Sequence, residues 1–221
     1  MPQFYLNRFN TIGASHLLML TLICPALASP SPAPFDPMQS LLSEAAAVST
    51  TVAQQPSDEI ERRKKSDPKF KMAYEHYVNG GWDYFDGHAK TAPGEYCAAF
   101  FWKGDGMVRL SGPAGDYEGA LMTFWGANIP TPGKSQKVKV TLKQSGDAPQ
   151  TVQAFNYKLP GDAFGSIVFA VPTIEALLDG MEDVASFDLE IDGASVAKVE
   201  WHGGLAARNR LRKCVSAKKT K

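Results

Sequence analysis

The chain lacks most of the signatures that would assign it a chemistry. It has no G-x-S-x-G elbow for a serine nucleophile, no Walker lysine and no G-x-G-x-x-G before a helix, so neither a hydrolase frame nor a phosphate cradle is written in it. Its three cysteines form no C-x-x-C pair, which excludes a thioredoxin-like redox motif and a cysteine zinc site. No N-x-S/T sequon occurs. Charge of one sign is missing too: 23 basic residues balance 23 acidic ones, and a neutral chain lacks the footprint that displaces counterions from nucleic acid. No apolar run approaches the about 20 residues needed to cross a bilayer. No cofactor, metal or catalytic residue is predicted.

What is present begins with the first 28 residues. Arg8 supplies a positive charge, residues 17–24 (LLMLTLIC) a short apolar core, and Pro25 precedes the small-residue pattern Ala26-Leu27-Ala28 before Ser29. That order is what a signal peptidase reads, so residues 1–28 are expected to be removed and the rest to work in the periplasm or outside the cell. Cleavage takes away Cys24 and leaves Cys97 and Cys214, which an oxidising compartment would join.

Residues 29–71 read as a tether. The Ala, Ser, Thr, Gln and Pro richness of residues 29–56 promises too little apolar burial to offset ordering entropy, with a transient helix open to residues 40–48, and residues 57–71 (SDEIERRKKSDPKFK) read as a solvated helix or linker whose acids pair locally with Arg62 to Lys65. Residues 72–221 read as one domain with a basic C-terminal tail.

Within that domain, period-two patterns dominate. Val138, Val140 and Leu142 alternate with lysines and a threonine, and Phe187, Leu189 and Ile191 with acids, each the mark of a strand with one wet face. Asp192-Gly193 between such runs predicts a type I′ hairpin. Further strands are expected near residues 96–102, 107–111, 120–125, 151–159 and 167–171. Two helices are expected: one opened by Pro172-Thr173 and stopped at Gly180, the other over residues 205–213 with Leu205 and Leu211 inward. The predicted fold is therefore mainly β, an antiparallel β-sandwich or open barrel with two short helices.

Two segments hold side chains able to carry chemistry. Trp82, Asp83, Asp86 and His88 fall together in GGWDYFDGH, where carboxylates beside a histidine could shuttle a proton, or where aromatics seal the sandwich while aspartates cap turns. The second reading is favoured, because one histidine and two aspartates name no metal. His202-Gly203-Gly204 could offer backbone N–H groups to an oxyanion, but without a nucleophile elbow it reads as a rim histidine and a turn. Trp102 and Trp125 sit on aromatic-rich strands; adjacent aromatics face opposite sides, so these tryptophans serve either as an exposed platform or as packing under a helix.

The export signal, the tether, the β pattern and the final Gly-x-x-x-Arg-x-x-Leu-x-x-Cys helix, Gly204 to Cys214, resemble the invasion-associated locus B-like periplasmic proteins of alphaproteobacteria. The usual extra cysteine pairs of that family are missing here. The resemblance implies an envelope sandwich without a catalytic centre. The expected function is non-catalytic binding of an envelope protein or a cell-wall or glycan ligand, with Trp82, Asp83, Asp86, His88, Trp102, Trp125 and His202 as candidate contacts. Two alternatives stand beside it: an envelope hydrolase using Asp83, Asp86 and His88 or His202, and a structural subunit that pairs by a sheet edge.

Overall fold

The computed structural model describes residues 37–86, 97–112, 119–158 and 161–219, all within a unit spanning Asp36–Lys221. The expected signal sequence with Cys24, and His88, lie outside the described residues. Nine strands form one sheet, antiparallel at every pairing, in the order β1-β2-β3-β4-β7-β6-β5-β8-β9. They are β1 (Gly81–Asp86), β2 (Cys97–Lys103), β3 (Gly106–Ser111), β4 (Ala120–Gly126), β5 (Gln136–Gln144), β6 (Gln150–Tyr157), β7 (Gly165–Val171), β8 (Ala185–Ile191) and β9 (Ala194–Trp201). The mainly β, antiparallel fold expected from the alternation is the fold observed, in its barrel form: β9 curls back against β2, β3 and β4, so the sheet nearly closes.

Two kinds of strand arise from two kinds of sequence. β5 exposes Lys137 and Lys139 and buries Val140, keeping one wet face. β2, β3 and β4 read as continuous apolar runs because both of their faces are covered. Inward, Ala99, Phe101, Val108, Leu110, Met122 and Phe124 meet Phe187, Leu189, Val199 and Trp201 across the barrel. Outward, Phe100, Trp102, Met107 and Trp125 lie under N-terminal helices.

Those helices correct the expected tether. From Pro37 the stretch is α1 (Pro37–Gln54), α2 (Ser57–Ser66) and α3 (Pro68–Asn79). Met38, Leu42, Ala45 and Val48 recur at helical spacing on α1 and are buried against the aromatics of β2–β4. Composition averaged over the segment hides this stripe; spacing carries it. On α3 the Asp67 carboxylate caps the first turn, accepting from Lys69 and Phe70 N–H at 3.1 Å each, and Pro68 occupies the first turn where its missing N–H costs nothing. The expected local pairing within α2 is present, Arg62 with Glu59 and Lys64 with Glu61.

The remaining helices close one end. Thr173 caps α4 (Ile174–Asp179) by accepting from Ala176 N–H at 3.0 Å, and Gly180 ends it. α5 runs Gly204–Lys219, longer than expected, and buries Ala207, Leu211 and Val215, while Leu205 faces solvent rather than the core. Cys97 and Cys214 are joined, stapling α5 to β2. Among the described residues no helix is long and apolar enough to cross a membrane.

The hairpin at Asp192-Gly193 has positive φ at both positions, 51° and 81°, as a type I′ turn requires. A bulge follows: Glu190 faces Ser195 but Leu189 faces Ala197, so Val196 has no cross-strand partner. Gly106 opens β3 where a side chain would collide with the Lys198 carbonyl oxygen, so glycine lets the third strand abut the last.

Candidate functional site

β1, unrecognised as a strand in the sequence, separates the candidate residues of its segment by alternation. Trp82 and Tyr84 pack against the interior cluster and Phe85 against the helix-covered one. The Trp82 ring lies 5.2 Å from Phe101 and 5.5 Å from Trp201, and its indole N–H donates to the His202 carbonyl at 2.7 Å. The His202 ring stands edge-on to Phe101, and its Nε2 hydrogen-bonds the Asn79 carbonyl oxygen at 2.8 Å. Trp82 and His202 therefore form a latch across the seam between β1 and β9.

Asp83 turns the other way, toward α3. Its Oδ2 lies 3.9 Å from His76 Nε2, and the His76 ring stacks on Trp102, centroids 5.5 Å apart and 12° from parallel. Burial pushes the Asp83 carboxyl above its usual range, and the nearby His76 pulls it partly back. By alternation along β1, Asp83 faces the side opposite Trp82, whose indole bonds the His202 carbonyl. Asp86 ends β1, and nothing is described of its side chain. Two of the amides after His202 are already engaged: Gly204 N–H donates to the Asp183 carbonyl at 2.9 Å and Leu205 N–H to its carboxylate at 3.2 Å. An oxyanion would find the Gly204 and Leu205 donors occupied.

The tryptophan platform is likewise enclosed. Trp102 is 1% and Trp125 2% exposed, so neither presents a face to a ligand. Helical cover over the sheet, not solvent, is what their aromatic strands answer to. Among the described residues no three His, Cys, Asp or Glu side chains gather as a metal ion would require.

A different place has the shape of a site. A groove of about 740 Å³ runs between the end of α3, the β2–β3 turn, and the adjoining parts of β5, β8 and β9. Tyr77 and Val78 form its α3 wall; Ser145 and Ser186 line it where β5 ends and β8 begins. Three lysines and two carboxylates reach it as pairs: Lys103 Nζ lies 3.8 Å from Glu200, Lys198 Nζ lies 3.5 Å from Asp188, and Lys143 bonds Glu190 just outside. The hydrogen bond it donates to Glu190 raises the Lys143 pKa, keeping that ammonium charged. Burial and the nearby Asp105 raise the Tyr77 phenol, keeping it neutral and able to donate. Ser145 is fixed by exchange with Ser186, donating its N–H at 3.0 Å and accepting at its hydroxyl at 3.2 Å.

Sequence reasoning missed this groove. It classed Lys143 and Asp188 as wet-face residues of strands, and nothing in the alternation brings Tyr77 to them. No family model matches the chain, no curated protein matches it, and no solved structure matches its fold.

Proposed function

We propose that the protein is a non-catalytic, exported binding protein of the periplasm or cell exterior, and that it holds a glycan chain of the cell wall in the groove beside α3. The groove carries this reading. It offers paired ammonium and carboxylate groups that can donate to and accept from sugar hydroxyls along its length, with the Tyr77 ring as a flat apolar wall for a pyranose. An envelope-protein partner is less well served. Stable protein interfaces take about 800 Å² from each side around an apolar centre. Among the described residues the exposed large apolar side chains, Met72, Val78, Val152, Phe155, Val184 and Leu205, are spread over α3, β6, the α4–β8 connection and α5. Assembly through a sheet edge is not favoured either, since β9 lies against the start of β3. Export is supported by the leading sequence, by the disulfide and by the resemblance to invasion-associated locus B-like proteins.

The test is a titration of soluble cell-wall glycan fragments into isotope-labelled mature protein, followed by amide chemical shifts. Saturable shifts at Tyr77, Ser145, Ser186 and Lys198 are expected, and Tyr77→Ala should weaken binding by about tenfold, the loss of one good contact of about 1.4 kcal/mol. Absence of saturable shifts, or shifts confined to residues outside the groove, overturns the reading.

A further inference from the structure

A second cavity lies at the other end of β2. It measures about 610 Å³ and is bounded by Tyr84 and Phe85 of β1, Ala98 of β2, and the Asn209, Arg210 and Lys213 turn of α5. Among the described residues no acid lines it, and the sequence of α5 contains none along its whole length.

The cations there differ in their surroundings from several others on the surface. Arg62, Lys64, Lys143, Lys198 and Arg212 each have a carboxylate partner. Arg210 and Lys213, three positions apart on one helix face, have none among the described residues, although like charges at that spacing repel. Arg210 is nonetheless held in place: its guanidinium carbon sits 4.1 Å from the centre of the Tyr84 ring. A guanidinium lying on an aromatic face keeps its N–H edges free for a bidentate acceptor. The turn beneath is fixed as well, because Cys214 follows Lys213 and is bonded to Cys97 on β2. A preformed pair of cations, with the Asn209 amide beside them, loses little freedom when an anion arrives.

We propose that this cavity is a binding site for a phosphate group, gripped by the Arg210 fork and the Lys213 ammonium, with the rest of the ligand against Tyr84 and Phe85. Two formal positive charges and a planar fork suit the several oxygens of a phosphate monoester or diester. The site is separate from the glycan groove, and each can fail without the other.

The experiment uses the mature protein with two probes: glycerol 3-phosphate followed by calorimetry, and vesicles of phosphatidylglycerol in phosphatidylcholine followed by flotation. Binding of either probe is expected to weaken at least tenfold in the Arg210→Gln/Lys213→Gln variant and to change less than twofold in Arg212→Gln, whose native partner is Asp179 outside the cavity. Arg210→Lys, keeping the charge without the fork, should fall between. Uptake of the soluble probe assigns a free phosphorylated ligand; vesicle binding alone assigns a lipid headgroup. Unchanged thermal melting of the double variant shows that a loss comes from the site and not from unfolding. No saturable binding of either probe, or equal losses in the double variant and Arg212→Gln, overturns the proposal.

Discussion

At the residue scale, Asp83 is a half-buried carboxyl whose surroundings favour its neutral form. Its Oδ2 is buried without a hydrogen-bond donor, and desolvation raises its carboxyl pKa more than His76 lowers it. The folded chain therefore holds this proton more tightly than the unfolded chain does. The resulting stabilisation is complete below the ordinary aspartate pKa and is lost as pH rises through the raised folded value. Asp83→Asn is expected to shift the urea midpoint upward at pH 7, and the gain should vanish near pH 3; a gain that persists unchanged in acid contradicts the assignment. The effect is small because a third of the side chain faces water. The sequence put Asp83 beside histidines as a chemical candidate, but the histidine it meets is His76, seven positions earlier on α3, a neighbour that only the packing of α3 on β1 and β2 supplies.

At the scale of elements, the helices that cover the sheet make the sharpest test. Leu42 of α1 is 2% exposed beneath the aromatics of β2–β4. Leu42→Ala should cost about 2–5 kcal/mol in urea unfolding, whereas the same change in an unpacked tether would cost nothing measurable. Strands with one wet face, such as β5 and β8, were legible because alternation is a local signal, and so were the Thr173 cap and the Asp192-Gly193 turn. β1 escaped notice because its glycine flank and mixed polarity, GWDYFD, resemble a loop until both of its faces are seen to be covered. The groove escaped for a subtler reason. Counting back from the hairpin turn places Asp188 opposite Ala197, but the bulge at Val196 moves Lys198 into that position and creates the ion pair. A one-residue shift of this kind leaves no mark in hydropathy.

For the whole molecule, the chain between Cys97 and Cys214 contains nearly all of the sheet. Their bond spans 117 positions, so it restricts the unfolded chain over most of the domain. In the chain-entropy account such a closure is worth about 4–5 kcal/mol. Replacing both cysteines with alanine should lower stability by about that amount and detach α5 first, which hydrogen exchange across Gly204–Lys219 would register. Equal stability with and without reductant would refute the account. The expectation of a pinned two-faced sheet came from a count of thiols and from alternation, whereas the cavities at either end of β2 depend on segments brought together from across the chain.

The contact between Gly106 and the Lys198 carbonyl has a consequence for crowded conditions. A final strand with one open edge is ordinarily a template on which further copies of a chain can accrete into fibres. Here the start of the third strand lies against it at backbone distance, so recruitment is blocked at that point by the protein's own interior geometry and not by surface charge. A side chain at position 106 would collide with the Lys198 carbonyl oxygen and part the two strands there.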